Sequence, residues 1–424
     1  MEKIEINGGK SLNGEIEVSG MKNAVVAEIF ASLLVPETVI LENVPNIVDV
    51  SVALSILEGV GCKVSRDINK NIVKINAKNA KGCISPDELT SRMRASYYML
   101  GAELGRFGKT RVGLPGGCNF GVRPIDQHIK AFEAMGANME EADTYVSGKA
   151  PRGLMSANVF FDVVTVGGTM NAVIAAVLAK GSKPTIIEGA AREPHIVDLA
   201  NFLNTCGADI RGAGTDTIKI NGVEKLHGCT YTVVPDMIEA GTYMICAAAT
   251  GGSLKITNVI PRHLESITTK LEEMGVEVEE GDDYITVSSE NSLDPINIKT
   301  QPYPGFPTDM QPQMCVLLCL ADGSSRLTES VWEERFRYME ELKKMDADIT
   351  INGKTATVKG GNALSPATVK AVDLRAGAAM VVAGLATKGT TYIEDVRFIE
   401  RGYDNIVGKL KGVGADINKI VTKD

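Results

Sequence analysis

A junction in which an apolar helix end runs into Gly-Ala, or a relative of it, and then into a strand recurs six times along the chain. It stands at Val60-Gly61-Cys62-Lys63-Val64, Met135-Gly136-Ala137-Asn138-Met139, Cys206-Gly207-Ala208-Asp209-Ile210, Met274-Gly275-Val276-Glu277-Val278, Met345-Asp346-Ala347-Asp348-Ile349 and Val413-Gly414-Ala415-Asp416-Ile417. The positions 61, 136, 207, 275, 346 and 414 differ by 75, 71, 68, 71 and 68 residues, so six tandem copies fill the 424-residue chain. Units of this length exceed those of ordinary solenoids, which run about 20–50 residues. Six copies in one chain point to two domains of three.

The third copy shows the content of a unit. Gly168–Lys180 is an Ala-rich apolar helix ended by Gly181, and Pro184–Glu188 is a β-branched strand. His195–Thr205 has helical periodicity, with Gly207 where a C-terminal cap glycine belongs and Ile210 opening a strand pair. The unit is therefore helix, strand, helix and two strands, begun by a strand from the preceding segment. The first helix of the copies is apolar on every face, as in Ala24–Leu34, Ala172–Ala179, Met244–Ala249, Met314–Leu320 and Ala376–Ala386. Such helices are buried, so the sheets are expected outside and the helices inside.

The entries to these helices hold the unusual residues. Lys22 and Arg94 place cations at helix N-termini, where the macrodipole opposes them. Each alone reads as a side chain pointing into water. Together, at equivalent repeat positions, they suggest an anion site. Asp309 and Asp373 read first as N-caps. The second copy carries a Gly- and Pro-rich loop, Leu114–Pro124, holding Cys118, with Arg111 and Arg123 close in sequence; cationic neighbours favour thiolate. Cys246, Cys315 and Cys319 lie on apolar helices and read as packing groups.

Other chemistries lose ground. His128, His195, His227 and His263 have no metal-ligand spacing, and the eight cysteines include no CxxC pair. Phosphate-loop, dinucleotide-fold and nucleophile-elbow signatures are absent from the sequence. A net charge of −9 and 5% aromatic residues argue against nucleic acid and acidic lipid as partners. The longest clean apolar run, Ala172–Ala179, is far short of a membrane span, and the polar, glycine-rich start of the sequence has no signal-peptide pattern. A cytoplasmic location is expected.

Seven stretches in order then resemble the enolpyruvyl transferase family: Gly20–Ala24, Met93–Ser96, the loop Leu114–Ile129, Ala191–Pro194, Phe306–Gln311, Asp373–Ala376 and Arg401–Tyr403. The resemblance covers essentially the whole chain. It implies a two-domain, inside-out α/β barrel fold of six βαβαββ repeats, three per domain. One domain would span 22–232, the other would join 1–21 to 233–424, with the active site between them. The implied reaction transfers enolpyruvyl from phosphoenolpyruvate to the 3′-hydroxyl of UDP-N-acetylglucosamine and releases phosphate. That is the first committed step of peptidoglycan precursor synthesis. No metal or organic cofactor is implied, and the oligomeric state stays open.

The same resemblance implies roles. Lys22, Arg123 and Arg401 match the phosphoenolpyruvate clamp, with Arg375 as a helper. Asn23, Arg94, Arg123, Pro124, Ile125, Asp126, Gln127, Thr165, Val166, Gly167, Asp309 and Val331 match positions lining the UDP-sugar. Asp309 matches the acceptor of the sugar hydroxyl proton. Cys118 matches the family's loop cysteine, described as proton donor to the methylene carbon, as the site of a phosphoenolpyruvate adduct and as the target of the epoxide fosfomycin. Glu193 and Arg335 are lesser candidates for holding a closed state. Val163 stands where some members have Lys, and Asn119-Phe120 replaces a smaller pair. Two other readings are an enolpyruvyl transferase acting on a shikimate 3-phosphate type of acceptor and a non-catalytic regulatory paralogue.

Overall fold

Helices with no polar face need cover on all sides, and the computed structural model provides it. It describes residues 2–82, 87–114, 125–289 and 292–421. The core helices are Lys22–Ala31, Tyr98–Phe107, Val166–Ala176, Met237–Thr250, Gln311–Leu320 and Leu374–Ala386. Every residue from Gly168 to Ala176 is buried, as is every residue from Arg375 to Leu385. Among the described residues no helix is long and apolar enough to cross a membrane.

The chain divides into two units. One holds the described residues from Gly20 to Val234, the other those up to Ser19 and from Pro235 on. In the first, Tyr98–Phe107 lies against both Lys22–Ala31 and Val166–Ala176. Gly101 permits that approach: a Cβ there would stand 2.4 Å from Asn171 Oδ1, which instead accepts from the Gly101 N–H at 2.9 Å. In the second unit the three core helices touch one another pairwise.

Around each set of helices stand three sheets. Their strands alternate between buried and exposed residues, as in Thr217–Asn221, Ser253–Thr257 and Ser324–Thr328. Period-2 alternation of this kind is that of a sheet with one face on a core and one in water. Five of the sheets share one order, a short parallel edge strand followed by three antiparallel partners, and the sixth shows three antiparallel strands among the described residues. The barrel of the resemblance is thus, in each unit, three separate sheets around a helical centre.

Edge strands explain why the chain visits one unit twice. Asn13–Glu17 pairs in parallel with Ser253–Thr257, so the strand that opens the fourth copy comes from the start of the chain. Glu2–Gly8 lies antiparallel between Gly389–Glu394 and Ile417–Val421, completing the sheet of the sixth copy. Thr230–Thr232 pairs in parallel with Thr38–Glu42 and opens the first copy in the same way.

The repeated junction is one hydrogen-bonded helix end made six times. Gly61 N–H reaches Glu58 O at 2.9 Å and Cys62 N–H reaches Leu57 O at 3.0 Å. The same pair of bonds recurs at Gly136, Gly207, Gly275, Asp346 and Gly414. This is the Schellman arrangement, which needs a left-handed residue at its turn. The five glycines take φ of 83° to 99°, and Asp346 takes 65°. Asp is among the few side chains that enter this region at modest cost, which is how the fifth copy keeps the motif without glycine.

Gly136 isolates that backbone requirement, because a Cβ there would meet nothing within 4 Å. Gly136→Ala is expected to destabilise its unit by about 1 kcal/mol through backbone strain alone, read as a lower urea midpoint with unchanged far-UV circular dichroism.

Candidate functional site

In the unit from Gly20 to Val234, Lys22 opens the first core helix, with Met21 as its cap residue. Its Nζ lies 2.9 Å from Asp49 Oδ2, the two side chains 14% and 5% exposed. The cation is therefore not a solvated end. Asp49 sits in the first turn of Val48–Gly59, where the dipole favours a carboxylate, and it offsets the charge that Lys22 places at an unfavourable helix terminus. Asn23, the next residue, is half-buried.

A second group gathers at the start of Val166–Ala176. Thr165 caps this helix, accepting from Gly168 N–H at 3.2 Å. Gln127, buried on Asp126–Ala134, accepts from Asp162 N–H at 3.1 Å and donates to Asp126 Oδ2 at 2.8 Å. Ile125 precedes this helix and is buried, whereas Asp126 is exposed. His128 fills the centre. Asn171 Nδ2 donates to Tyr97 O at 2.7 Å and to His128 Nδ1 at 2.9 Å. The neutral ring thus carries its proton on Nε2, next to Gly167, where a Cβ would lie only 3.1 Å from that nitrogen. Burial first, and then the charge of Arg94, lowers His128 from 6.5 to about 4, against an opposing pull from Asp126. Arg94 itself begins the short 3-10 turn Arg94–Tyr97.

The other unit builds its cluster on Asp309, which departs from its reading as a cap. Pro307 holds the cap position of Thr308–Met310, and Asp309 lies within the turn as an acceptor for two guanidinium groups. Its Oδ1 accepts from Arg335 Nη2 at 3.1 Å, its Oδ2 accepts from Arg375 Nε at 3.1 Å, and Arg375 Nη2 lies 3.1 Å from the same oxygen as an ion pair. The Arg335 and Arg375 side chains are 3% and 4% exposed against 30% for Asp309. Asp373 does cap its helix, accepting from Arg375 N–H at 2.8 Å and Ala376 N–H at 3.0 Å. Burial lowers the Arg375 pKa, but Asp309, Tyr403 and Asp236 together outweigh it, and the group is raised. Arg375 Nη1 is buried with no hydrogen-bond partner among the described residues. The guanidinium lies over the Tyr403 ring at 5.6 Å, and Tyr403 OH is held by Thr242 at 2.9 Å and Gln313 at 3.2 Å. Arg401 ends the turn Val396–Arg401, which packs on the Arg375 helix.

Val331, exposed, is held through Glu329. This carboxylate is 1% exposed and accepts from Val331 N–H at 2.7 Å, Trp332 N–H at 3.1 Å, Thr300 Oγ1 at 2.8 Å and Thr308 Oγ1 at 3.0 Å. One buried carboxylate thereby joins the Val331 turn to the residue beside Asp309. Cys118, Arg123 and Pro124, with Asn119 and Phe120, lie outside the described residues. Arg111 is engaged by Asp87 at 2.8 Å and by the Tyr145 ring at 4.5 Å. Val163 is 61% exposed beside Asp162. Asp49, His128 and Glu329 are the residues that sequence reasoning passed over; only His128 carried a signal, its place inside the Leu114–Ile129 stretch.

Two units, each of buried core helices and three sheets, make the carboxyvinyl transferase fold. The chain belongs to the EPSP synthase (3-phosphoshikimate 1-carboxyvinyltransferase) family, which it matches over residues 6–410. Among curated relatives, it is 53% identical over 421 residues to the UDP-N-acetylglucosamine 1-carboxyvinyltransferase of Clostridium botulinum, covering 99% of this chain and 100% of the relative. It is 52% identical to UDP-N-acetylglucosamine 1-carboxyvinyltransferase 3 of Caldanaerobacter subterraneus subsp. tengcongensis, with 99% and 100% covered. Among solved structures, the enolpyruvyl transferase NikO from Streptomyces tendae superposes with a TM-score of 0.89 at 26% identity, covering 100% of this chain and 99% of that one. EPSP synthase from Acinetobacter baumannii shares the fold, with a TM-score of 0.77 at 18% identity over 99% and 100% of the two chains.

The state of His128 makes stability depend on pH. Its folded-state pKa is depressed, so below 6.5 the unfolded chain binds a proton that the folded unit refuses until about pH 4. Stability from this group is complete above pH 6.5 and is lost as pH falls to about 4, by up to roughly 3 kcal/mol. The urea midpoint of the wild type is expected to fall more steeply over that window than that of His128→Gln.

Proposed function

We propose that this chain transfers the enolpyruvyl group of phosphoenolpyruvate to the 3′-hydroxyl of UDP-N-acetylglucosamine, releasing phosphate. The observation that supports the acceptor most directly is the full-length likeness, at 53% identity, to a relative named for that activity. The geometry supports the chemistry. Phosphoenolpyruvate is a compact polyanion, and Lys22, Arg375 and Arg401, with Arg123, supply cations that bind and orient it by charge-assisted bonds. Lys22 is already held in place by Asp49, so it loses little freedom on binding.

Asp309 accepts the proton of the sugar hydroxyl. Two arginines hold its carboxylate in place, Arg335 at Oδ1 and Arg375 at Oδ2. Cys118 gives a proton to the methylene carbon of the donor as the hydroxyl oxygen adds to its neighbour; loss of a proton from the resulting methyl carbon and of phosphate from its neighbour then restores the double bond. Arg94, Gln127 and the helix start at Thr165–Gly167 bind the nucleotide sugar. The backbone N–H groups and dipole of Val166–Ala176 suit its diphosphate. Asn23, Pro124, Ile125, Asp126, Val331 and Arg335 complete the substrate contacts. The chain works in the cytoplasm on small molecules.

Phosphate release from phosphoenolpyruvate tests the reading, with UDP-N-acetylglucosamine in one arm and shikimate 3-phosphate in the other. Release only with the UDP-sugar is expected. Release with the shikimate ester, or with neither, would replace this reading by the other acceptor or by a non-catalytic binder. Cys118→Ser is expected to lower turnover by about 10²–10⁴-fold with the fold intact by circular dichroism; full activity in that variant would remove Cys118 from the chemistry.

A further inference from the structure

We propose that Cys206 and Cys229 form a peroxide-sensitive dithiol, a modification site separate from the transfer chemistry. Their Sγ atoms lie 3.2 Å apart. A disulfide needs about 2.05 Å, so closure takes about 1 Å of side-chain movement.

The backbone holds both thiols in that register. Cys206 ends the helix Pro194–Thr205, and Cys229 directly precedes the strand Thr230–Thr232. The Cys206 carbonyl accepts from His227 N–H at 2.9 Å, and the Cys229 carbonyl accepts from Ile40 N–H at 2.8 Å. Gly207, with φ of 97°, lets the two segments meet: a Cβ there would stand 2.9 Å from the His227 ring. The pairing thus follows from fixed chain positions on both sides and not from one rotamer choice.

The two sulfurs differ as a reactive and a resolving thiol should. Cys206 is buried and Cys229 is half-buried, so a dissolved oxidant meets Cys229 first. The hydrogen bond from Cys206 holds the Cys229 thiol below its ordinary value, with burial opposing. The same bond, then burial and the Cys229 and Glu28 charges, push Cys206 up. Cys62 and Cys246, by contrast, are pushed up to about 12 by burial, and Cys315 and Cys319 lie inside the Gln311–Leu320 core helix. All four are buried, where a dissolved oxidant does not reach them.

The step balances with a hydroperoxide as oxidant. The Cys229 thiolate attacks one peroxide oxygen, the O–O bond breaks, and the departing hydroxide takes a proton to become water. The resulting sulfenic acid is attacked by Cys206, whose proton passes to the departing hydroxyl; the S–O bond breaks, the S–S bond forms, and a second water leaves. Two thiols are oxidised by two electrons and the peroxide is reduced to two waters. The crosslink ties the end of Pro194–Thr205 to the edge strand Thr230–Thr232, just before the chain leaves this unit at Val234.

The test treats the full chain with hydrogen peroxide, blocks remaining thiols with N-ethylmaleimide after unfolding, and maps peptides without reduction. The expected result is loss of N-ethylmaleimide labelling at Cys206 and Cys229, with a linked peptide pair that dithiothreitol separates. Cys62, Cys246, Cys315 and Cys319 keep their label. In Cys206→Ser, a sulfenic acid on Cys229 trapped by dimedone is expected in place of the linked pair. Retained label at both residues, at peroxide levels that oxidise free glutathione, would overturn the proposal. So would conversion of Cys229 to sulfinic acid with Cys206 still labelled. Peptide linkage is read independently of turnover, so this result stands apart from the test of transferase activity.

Discussion

Five of the six core helices have no polar face, and this imposes one requirement on everything else: each must be enclosed on all sides. A helix buried on only one side hides its remaining apolar surface by packing on a partner, but helices such as Leu374–Ala386 have no side left to expose. Three of them share one another's surface, and the sheets cover the rest with one face inward. Each copy must then end its outer helix within a single turn and send the chain back as a strand. The left-handed Schellman junction does this, which is why it is the most regular feature of the chain.

The same architecture creates the candidate site. Buried core helices bring their N-termini to places where unbonded N–H groups and the positive end of the dipole must be balanced. Asp373, Asp236 and Thr165 do so as caps. At Lys22 the added charge is positive, and the buried carboxylate of Asp49 answers it. At Asp309 a carboxylate stands between two nearly buried guanidinium groups. Removing either partner from such an arrangement would leave a buried charge uncompensated, so each charge holds the other in place.

Much of the fold was legible because its requirements are local. A left-handed helix end calls for glycine within a few residues of the last apolar position, and that dependence repeats wherever the motif does. All-round apolar helices could likewise be recognised as interior from their own residues. The candidate site rests mainly on resemblance, which points to Lys22, Arg94, Asp309, Arg375 and Arg401 without saying what holds them. Asp309 shows the limit. Asp near a helix start suits both a cap and a first-turn ion pair, and its partners, Arg335 and Arg375, lie 26 and 66 residues away.

The sequence by itself determined the six copies, their length, the interior place of the first helices and the residue types at their entries, since each depends on neighbours within a turn or two. Tertiary structure alone decided which strands complete which sheets. Asn13–Glu17 and Thr230–Thr232 read like any short strand, and only pairing with Ser253–Thr257 and Thr38–Glu42 gives them their places. It also decided the partners of buried polar groups: Asp49 for Lys22, Asn171 for His128, Glu329 for the turn at Val331, and Cys229 for Cys206. The physical reason is common to all of them. A backbone preference is set by the residue and its neighbours, whereas a buried charge, amide or thiol is satisfied by whichever group the packed chain brings within about 3 Å, and sequence spacing does not encode that distance.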